Sequence, residues 1–381
     1  GGGVKRARAA GRLTIAAGLG LALLLAAALP PARADGKPPA KKPPAFPAIE
    51  KKLDAGDIAG ARQDLDKLLA AEPENRKANG LAARIRFFYA DDAAARKLLA
   101  KADPEDEDAA ILARFLDGPF AGSPAKKTGG GHYLLATDVT KRDGVATLLE
   151  EIYGAYSHAF PGERDRRLVS RVFVFARRDD YLSWSKEVLD DDASDSAAYY
   201  LPSFRLLVVD ADGEDELSDY GRDSMFHEAF HQFLHYFLDS DRTPFWFNEG
   251  VAEYFGPSRV RPGGRALEIG LLPRGDGTKG SSTLDTAKRT LDRWTPLRRL
   301  MLLDADGFMA EEDALMHYAE SWATVHFLAQ SDEGRKRLLA YYDALRKGKT
   351  QQEAFERVFA GSVDRLEADV KDYVRKLKAP D

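Results

Sequence analysis

The chain contains no cysteine, which removes disulfides, thiolate metal ligands and a cysteine nucleophile from consideration together. Any metal it binds must be held by histidine and carboxylate. The absence is compatible with an oxidising compartment and does not by itself assign one. A strong charge of either sign is also missing: 56 basic against 61 acidic residues leave a net charge of −5 at pH 7. Neither nucleic acid nor an anionic surface is offered an overall attraction, and no nucleic-acid partner is expected.

One extended apolar run, Leu13 to Leu29, follows Arg6, Arg8 and Arg12 and precedes Ala32-Arg33-Ala34. A basic start, an apolar stretch and small residues at the two positions a signal peptidase reads describe a signal peptide over residues 1–34, with a mature start at Asp35. Uncleaved, the same run is near the lower limit for spanning a bilayer and would act as an anchor, the one case in which a membrane becomes a partner. Both alternatives export the remainder to the periplasm, the cell envelope or the medium.

What is present in quantity is apolar material, 44% of 381 residues, alongside 31% charged residues. That is enough for a sizeable core and more than one domain. Residues 35–48, rich in Pro and Lys, read as an extended tether. Residues 49–117 are Ala- and Leu-rich at helical spacing, as in Ala61, Leu65, Leu68 and Leu69, and are punctuated by Pro73 and Pro104; three or four short helices are expected. Within them, DAGDIAGARQDLDKLLAAEPEN resembles a tetratricopeptide-type helical hairpin. At most two degenerate repeats fit, fewer than a free-standing solenoid needs, so the region should lean on the domain C-terminal to it. The Gly- and Pro-rich stretch 118–131 is a linker by composition.

Beyond it, residues 132–381 read as one domain. Strand-like His132 to Thr137 and Leu168 to Ala176 alternate with helical Gly144 to Ala159 and Tyr181 to Val188. Tyr199 to Leu201 and Arg205 to Val209 read as a hairpin closing a sheet. A long apolar helix over Asp223 to Leu238 comes next, then a mainly helical remainder interrupted by a Gly- and Pro-rich loop at 257–282. A mixed sheet succeeded by helices implies an α+β fold.

The segment SMFHEAFHQFLHYF holds His227-Glu228-Ala229-Phe230-His231, an HExxH motif in a helical context. Positions i and i+4 lie one turn apart on one face, so both imidazoles reach a single ion while Glu228 projects beside it. A catalytic metal takes three protein ligands and leaves a position open. The third can come from the next helical segment, TPFWFNEGVAEYF, which contains Glu249 and, one turn on, Glu253. His235 shares the ligand face, but a straight helix carries its third turn away from the metal, and packing or polar support is expected of it.

Taken together, HEAFHQFL and PFWFNEGVAEYF resemble the gluzincin zinc metallopeptidases, and more closely the peptidase MA-like bacterial proteins that carry HEAxHQ and WLxEGxAEYF, from about His132 to the C-terminus. The resemblance implies Zn2+ held by His227, His231 and Glu249, with Glu228 as general base toward the metal-activated water. It places Glu253 where an acid supports the first histidine ligand. MHYAESWATVHFL is similar to the relatives' YAQSWALVHFL and points to Tyr318 as the oxyanion donor, with His317 its neighbouring alternative. His326, His132 and His158 read as core histidines. The strand Arg205 to Val209 would be the edge that pairs with extended substrate, and the acidic insert Asp210 to Asp219 reads as a solvated loop without calcium.

The expected activity is peptide-bond hydrolysis on a peptide or protein substrate. The alternatives are cleavage of cell-wall amide bonds by the same chemistry, and a non-catalytic envelope protein whose N-terminal helices bind a protein partner beside a structural zinc domain.

Overall fold

Asp or Asn residues punctuate the Ala-rich N-terminal region. In the computed structural model, Asp57, Asn75, Asp91 and Asp106 each accept a backbone N–H three residues on and so start a helix. The result is five helices rather than three or four: α1 (Phe46–Asp54), α2 (Ile58–Ala71), α3 (Arg76–Phe88), α4 (Asp92–Leu99) and α5 (Glu107–Asp117). The structure describes residues 45–378 apart from 55, 121–123, 164, 191, 239–242, 262–265, 275–281 and 311–312. The expected signal peptide and most of the expected tether therefore lie outside the described residues.

A mixed sheet comes next, and the fold is α+β. Its strands are β1 (Lys126–Lys127), β2 (Tyr133–Thr137), β3 (Ser170–Phe175), β4 (Ala198–Leu201) and β5 (Leu206–Asp210), in the order β1-β2-β3-β5-β4. Two of the residues read as linker, Lys126 and Lys127, thus pair with β2. The middle strands β2, β3 and β5 run parallel, while β1 and β4 are antiparallel to their neighbours. The crossovers carry α6 (Arg142–Ala159) and α7 (Arg178–Leu189).

Every residue of β2, β3 and β5 is buried, as expected of strands covered on both faces. Alternation assigns Tyr133, Leu135, Val172, Val174, Leu207 and Val209 to a core shared with α6 and the C-terminal helices. The opposite residues, Phe173, Phe175, Leu206 and Val208 among them, join α1–α5 and α7 in a second core. The apolar faces of the N-terminal helices are thus turned onto the sheet. Arg171 and Arg205, 3% and 4% exposed, secure that layer. Arg171 bonds Phe87 O and Asp92 and lies over the Phe87 ring, while Arg205 lies over Phe88 and Tyr236.

On the other face, α8 (Asp219–Leu234) is capped by Ser218 and enters directly after β5. Its Gly221 is required by close approach, since a Cβ there would lie 2.7 Å from Asp210 O and 2.6 Å from Ala211 O. Asp210 itself is not part of a solvated loop: it is buried and paired with Arg178 at 3.0 Å. Gln232, fully buried, donates to Arg171 O at 3.0 Å and Arg205 O at 2.7 Å, fixing α8 against β3 and β5.

Then come α9 (Phe245–Phe255), a small hairpin of β6 (Arg259–Val260) and β7 (Leu267–Glu268), and α10 (Thr283–Thr290). The helical remainder is α11 (Leu297–Leu300), α12 (Ala305–Phe308), α13 (Ala314–Ala329), α14 (Asp332–Arg346), α15 (Gln351–Val358) and α16 (Val363–Lys376). The almost wholly buried α13 is the hub of this lobe, and it carries His317, Glu320, Ser321, Thr324 and His326 inside along with its apolar residues. It crosses α9 at Gly250, where a Cβ would stand 2.6 Å from Ser321 O. Among the described residues no helix is long and apolar enough to cross a membrane.

Candidate metal centre

His227 and His231 lie one turn apart on α8, with ring centroids 4.8 Å apart and planes at 80°. Their ligand atoms and that of Glu228 fall within 4.8 Å of one another. From α9, Glu249 places Oε2 3.4 Å from His227 Nε2 and 3.6 Å from His231 Nε2. Two ligands about 2.05 Å from a tetrahedral zinc would stand about 3.3 Å apart. The donor types and these two spacings fit zinc, with one carboxylate oxygen of Glu249 near both Nε2 atoms.

The far side of each imidazole is also held. His231 Nδ1 is 2.9 Å from Asn248 Oδ1, an acceptor that fixes the tautomer with Nε2 facing Glu249. His227 Nδ1 is 3.5 Å from Glu253 Oε1. Glu253 Oε2 in turn accepts from Thr283 Oγ1 at 2.9 Å. Asn248 is legible in the sequence only as the residue before Glu249 in PFWFNEGVAEYF. Thr283, at the start of α10, carries no motif.

Burial and neighbouring charges shift the proton affinities of Glu228 and Glu249 in opposite directions. Burial raises Glu228, with His231 and His227 pulling the other way. Burial would raise Glu249 too, but His231, His227 and Tyr318 outweigh it and hold it below the usual range. Burial lowers His227, yet its hydrogen bond to Glu249 and the charges of Glu253 and Glu228 bring it up to about 9. Opposed shifts in neighbouring carboxylates suit one to carry charge and the other to exchange a proton.

Tyr318, on α13, donates its hydroxyl to Met309 Sδ at 3.9 Å and lies near enough to Glu249 to help hold that carboxylate charged. Its ring packs edge-on against Phe308. Burial and the three carboxylates nearby raise its phenol well above the ordinary value, so it remains a donor. His317 is turned elsewhere: Nδ1 is 2.8 Å from Phe308 O and Nε2 3.1 Å from Thr295 Oγ1. His326 is a buried histidine satisfied by Gly270 O and Tyr373. His235 bonds Tyr200 rather than facing the ligands.

Three sequence expectations are corrected. His158 is exposed, because it falls on the outer face of α6. His132 is only partly buried and pairs with Glu150 at 2.6 Å instead of entering a core. The strand Arg205 to Val209 is not an edge: β5 is flanked by β3 and β4, and the outer strand beside the site is β4. The Tyr200 main chain of β4 lies near enough to Glu228 to favour its charged form.

A family described as protein of unknown function (DUF1570) matches residues 223–350. That segment holds His227, Glu228, His231, Glu249, Glu253 and Tyr318 and leaves out the sheet and α1–α7. No curated protein matches the chain.

Proposed function

We propose that this chain is a zinc-dependent peptidase, with His227, His231 and Glu249 as ligands and Glu228 as general base. The observation that carries the reading is the convergence of Glu249 Oε2 on both imidazole Nε2 atoms at 3.4 and 3.6 Å, with Glu228 alongside. Zinc, when bound, would lower the pKa of a coordinated water and polarise a carbonyl. Glu228, raised by burial, is placed to take a proton and return it to a leaving amine. Tyr318 is placed to donate to an oxygen that gains charge. A purely structural site would have no use for Glu228.

Substrate is expected along β4. The ladder pairs Asp210 N–H with Ala197 O and continues through Tyr199 and Leu201, so Tyr200 C=O faces the outer edge. An extended polypeptide could donate to it without its sequence being read. The test is hydrolysis of denatured casein by the exported form together with metal analysis. About one zinc per chain and chelator-sensitive cleavage support the reading; metal-free protein prepared without chelator contradicts it. Tyr318→Phe should keep zinc and lose turnover by roughly tenfold to a thousandfold, as the loss of one oxyanion donor does.

A further inference from the structure

We propose that Tyr200 and His235 form a latch that holds the outer edge of β4 on the metal helix and so sets where a bound polypeptide lies relative to Glu228. It rests on the peptidase reading for its consequence in substrate, though not for its geometry.

Tyr200 meets α8 at two points, of which one is a side-chain hydrogen bond. Because Tyr199 and Leu201 face β5, the Tyr200 main chain faces outward, and it lies near Glu228, whose charged form it favours. Ala198, the other outward residue, is likewise unpaired with β5 and exchanges hydrogen bonds with Ser196 Oγ. The Tyr200 side chain returns to the same helix, with Oη 2.6 Å from His235 Nδ1. Glu228 and His235 are seven residues apart, two helical turns or about 10 Å along one face. One strand residue therefore spans both, which opposes sliding and rotation of β4 together.

The far anchor is itself held. Arg205, just after the turn that closes the β4–β5 hairpin, donates from Nη1 to His235 O at 3.1 Å. It has φ +50°, a left-handed conformation that reverses the chain toward α8. The hairpin thus grips His235 by its carbonyl and by its ring. Burial and the Arg205 charge keep the imidazole neutral, so Nδ1 can accept the phenolic proton. Tyr200 and His235 touch no reacting atom through their side chains. They are positioning residues.

The test compares His235→Leu, Tyr200→Phe and His235→Asn in the full chain with zinc. Asparagine places an amide where Nδ1 stood and can satisfy the phenol. In wild type the Tyr200 amide should exchange slowly although it faces an outer edge. The two latch-breaking variants should accelerate it about tenfold or more, the equivalent of one hydrogen bond, while β5 amides in the same sample stay unchanged. His235→Asn should remain within a few-fold of wild type. In parallel, kcat/KM for a long unfolded peptide should fall about tenfold, and less for a peptide too short to reach along β4.

Unchanged Tyr200 exchange in both latch-breaking variants overturns the proposal. So does acceleration spread equally over β5, or equal loss for long and short peptides. If wild type cleaves no peptide at all, the peptidase reading fails, and the exchange comparison alone decides the latch.

Discussion

The two faces of the sheet bury polar groups in different ways. Under α1–α5, Arg171 and Arg205 are matched by aromatic rings, carbonyls and Asp92, so each charge has a structural partner. Under α8, α9 and α13, His227, Glu228, His231, Glu249 and Glu253 cluster, with imidazole-to-carboxylate distances of 3.4, 3.5 and 3.6 Å, and the proton affinities of His227, Glu228 and Glu249 are shifted. A layer that only had to cover the sheet would need no such cluster. The excess of mutually perturbed groups marks the face on which chemistry is expected.

The contrast is broken most severely at Glu249. Glu249→Ala should remove most zinc, whereas Glu253→Ala should weaken it about tenfold to a hundredfold, as outer carboxylates do. Equal losses, read by competition with a chromophoric chelator, would overturn the ligand assignment. On the opposite face, Arg171→Met should lower unfolding free energy by roughly 2–4 kcal/mol, because Asp92 and Phe87 O lose their donor. Zinc affinity should not change. A denaturant titration beside the zinc titration would show whether the two faces are independent.

Glu320 sharpens the contrast within the helical lobe. It is fully buried, accepts from Thr295 N–H at 2.7 Å through Oε1, and leaves Oε2 without a partner. Burial raises its carboxyl to about 8, against the Thr295 N–H and Lys371. The folded state thus keeps a proton that the unfolded chain releases near pH 4.5, so stability should fall as pH rises from about 4.5 to about 8 and level off above. Glu320→Gln, the residue in the resembling YAQSWALVHFL segment, should flatten that slope. It should gain a few kcal/mol over wild type at pH 9 and little at pH 5. Parallel melting curves at the two pH values would contradict this. The smallest effect is expected at Thr283→Val, which releases Glu253 and should cost zinc affinity only a few-fold.

How much is legible in the sequence depends on range. His227, Glu228 and His231 lie within one helical turn, so spacing alone places them together, and Glu249 comes from the next helix. The β4–β5 hairpin is equally local. Which of its strands lies outside is not, because that depends on β5 pairing parallel to β3 about 35 residues earlier. Tyr200 and Thr283 reach the site from a strand and a later helix, with no spacing to connect them to the motif. The apolar stripes of α1–α5 announce helices but not that a sheet face will receive them. His158 departs from expectation because apolar neighbours in sequence do not identify a helix face: Tyr156 points inward and His158, two residues on, points out.

The central claim is tested most directly by comparing wild type with Glu228→Gln on a denatured polypeptide, with zinc measured in both. Glutamine keeps the size of Glu228 and a polar group in its place but cannot take a proton, so zinc content and folding should persist while turnover falls by roughly a hundredfold or more. Equal cleavage by the two proteins, both loaded with zinc, would contradict the account.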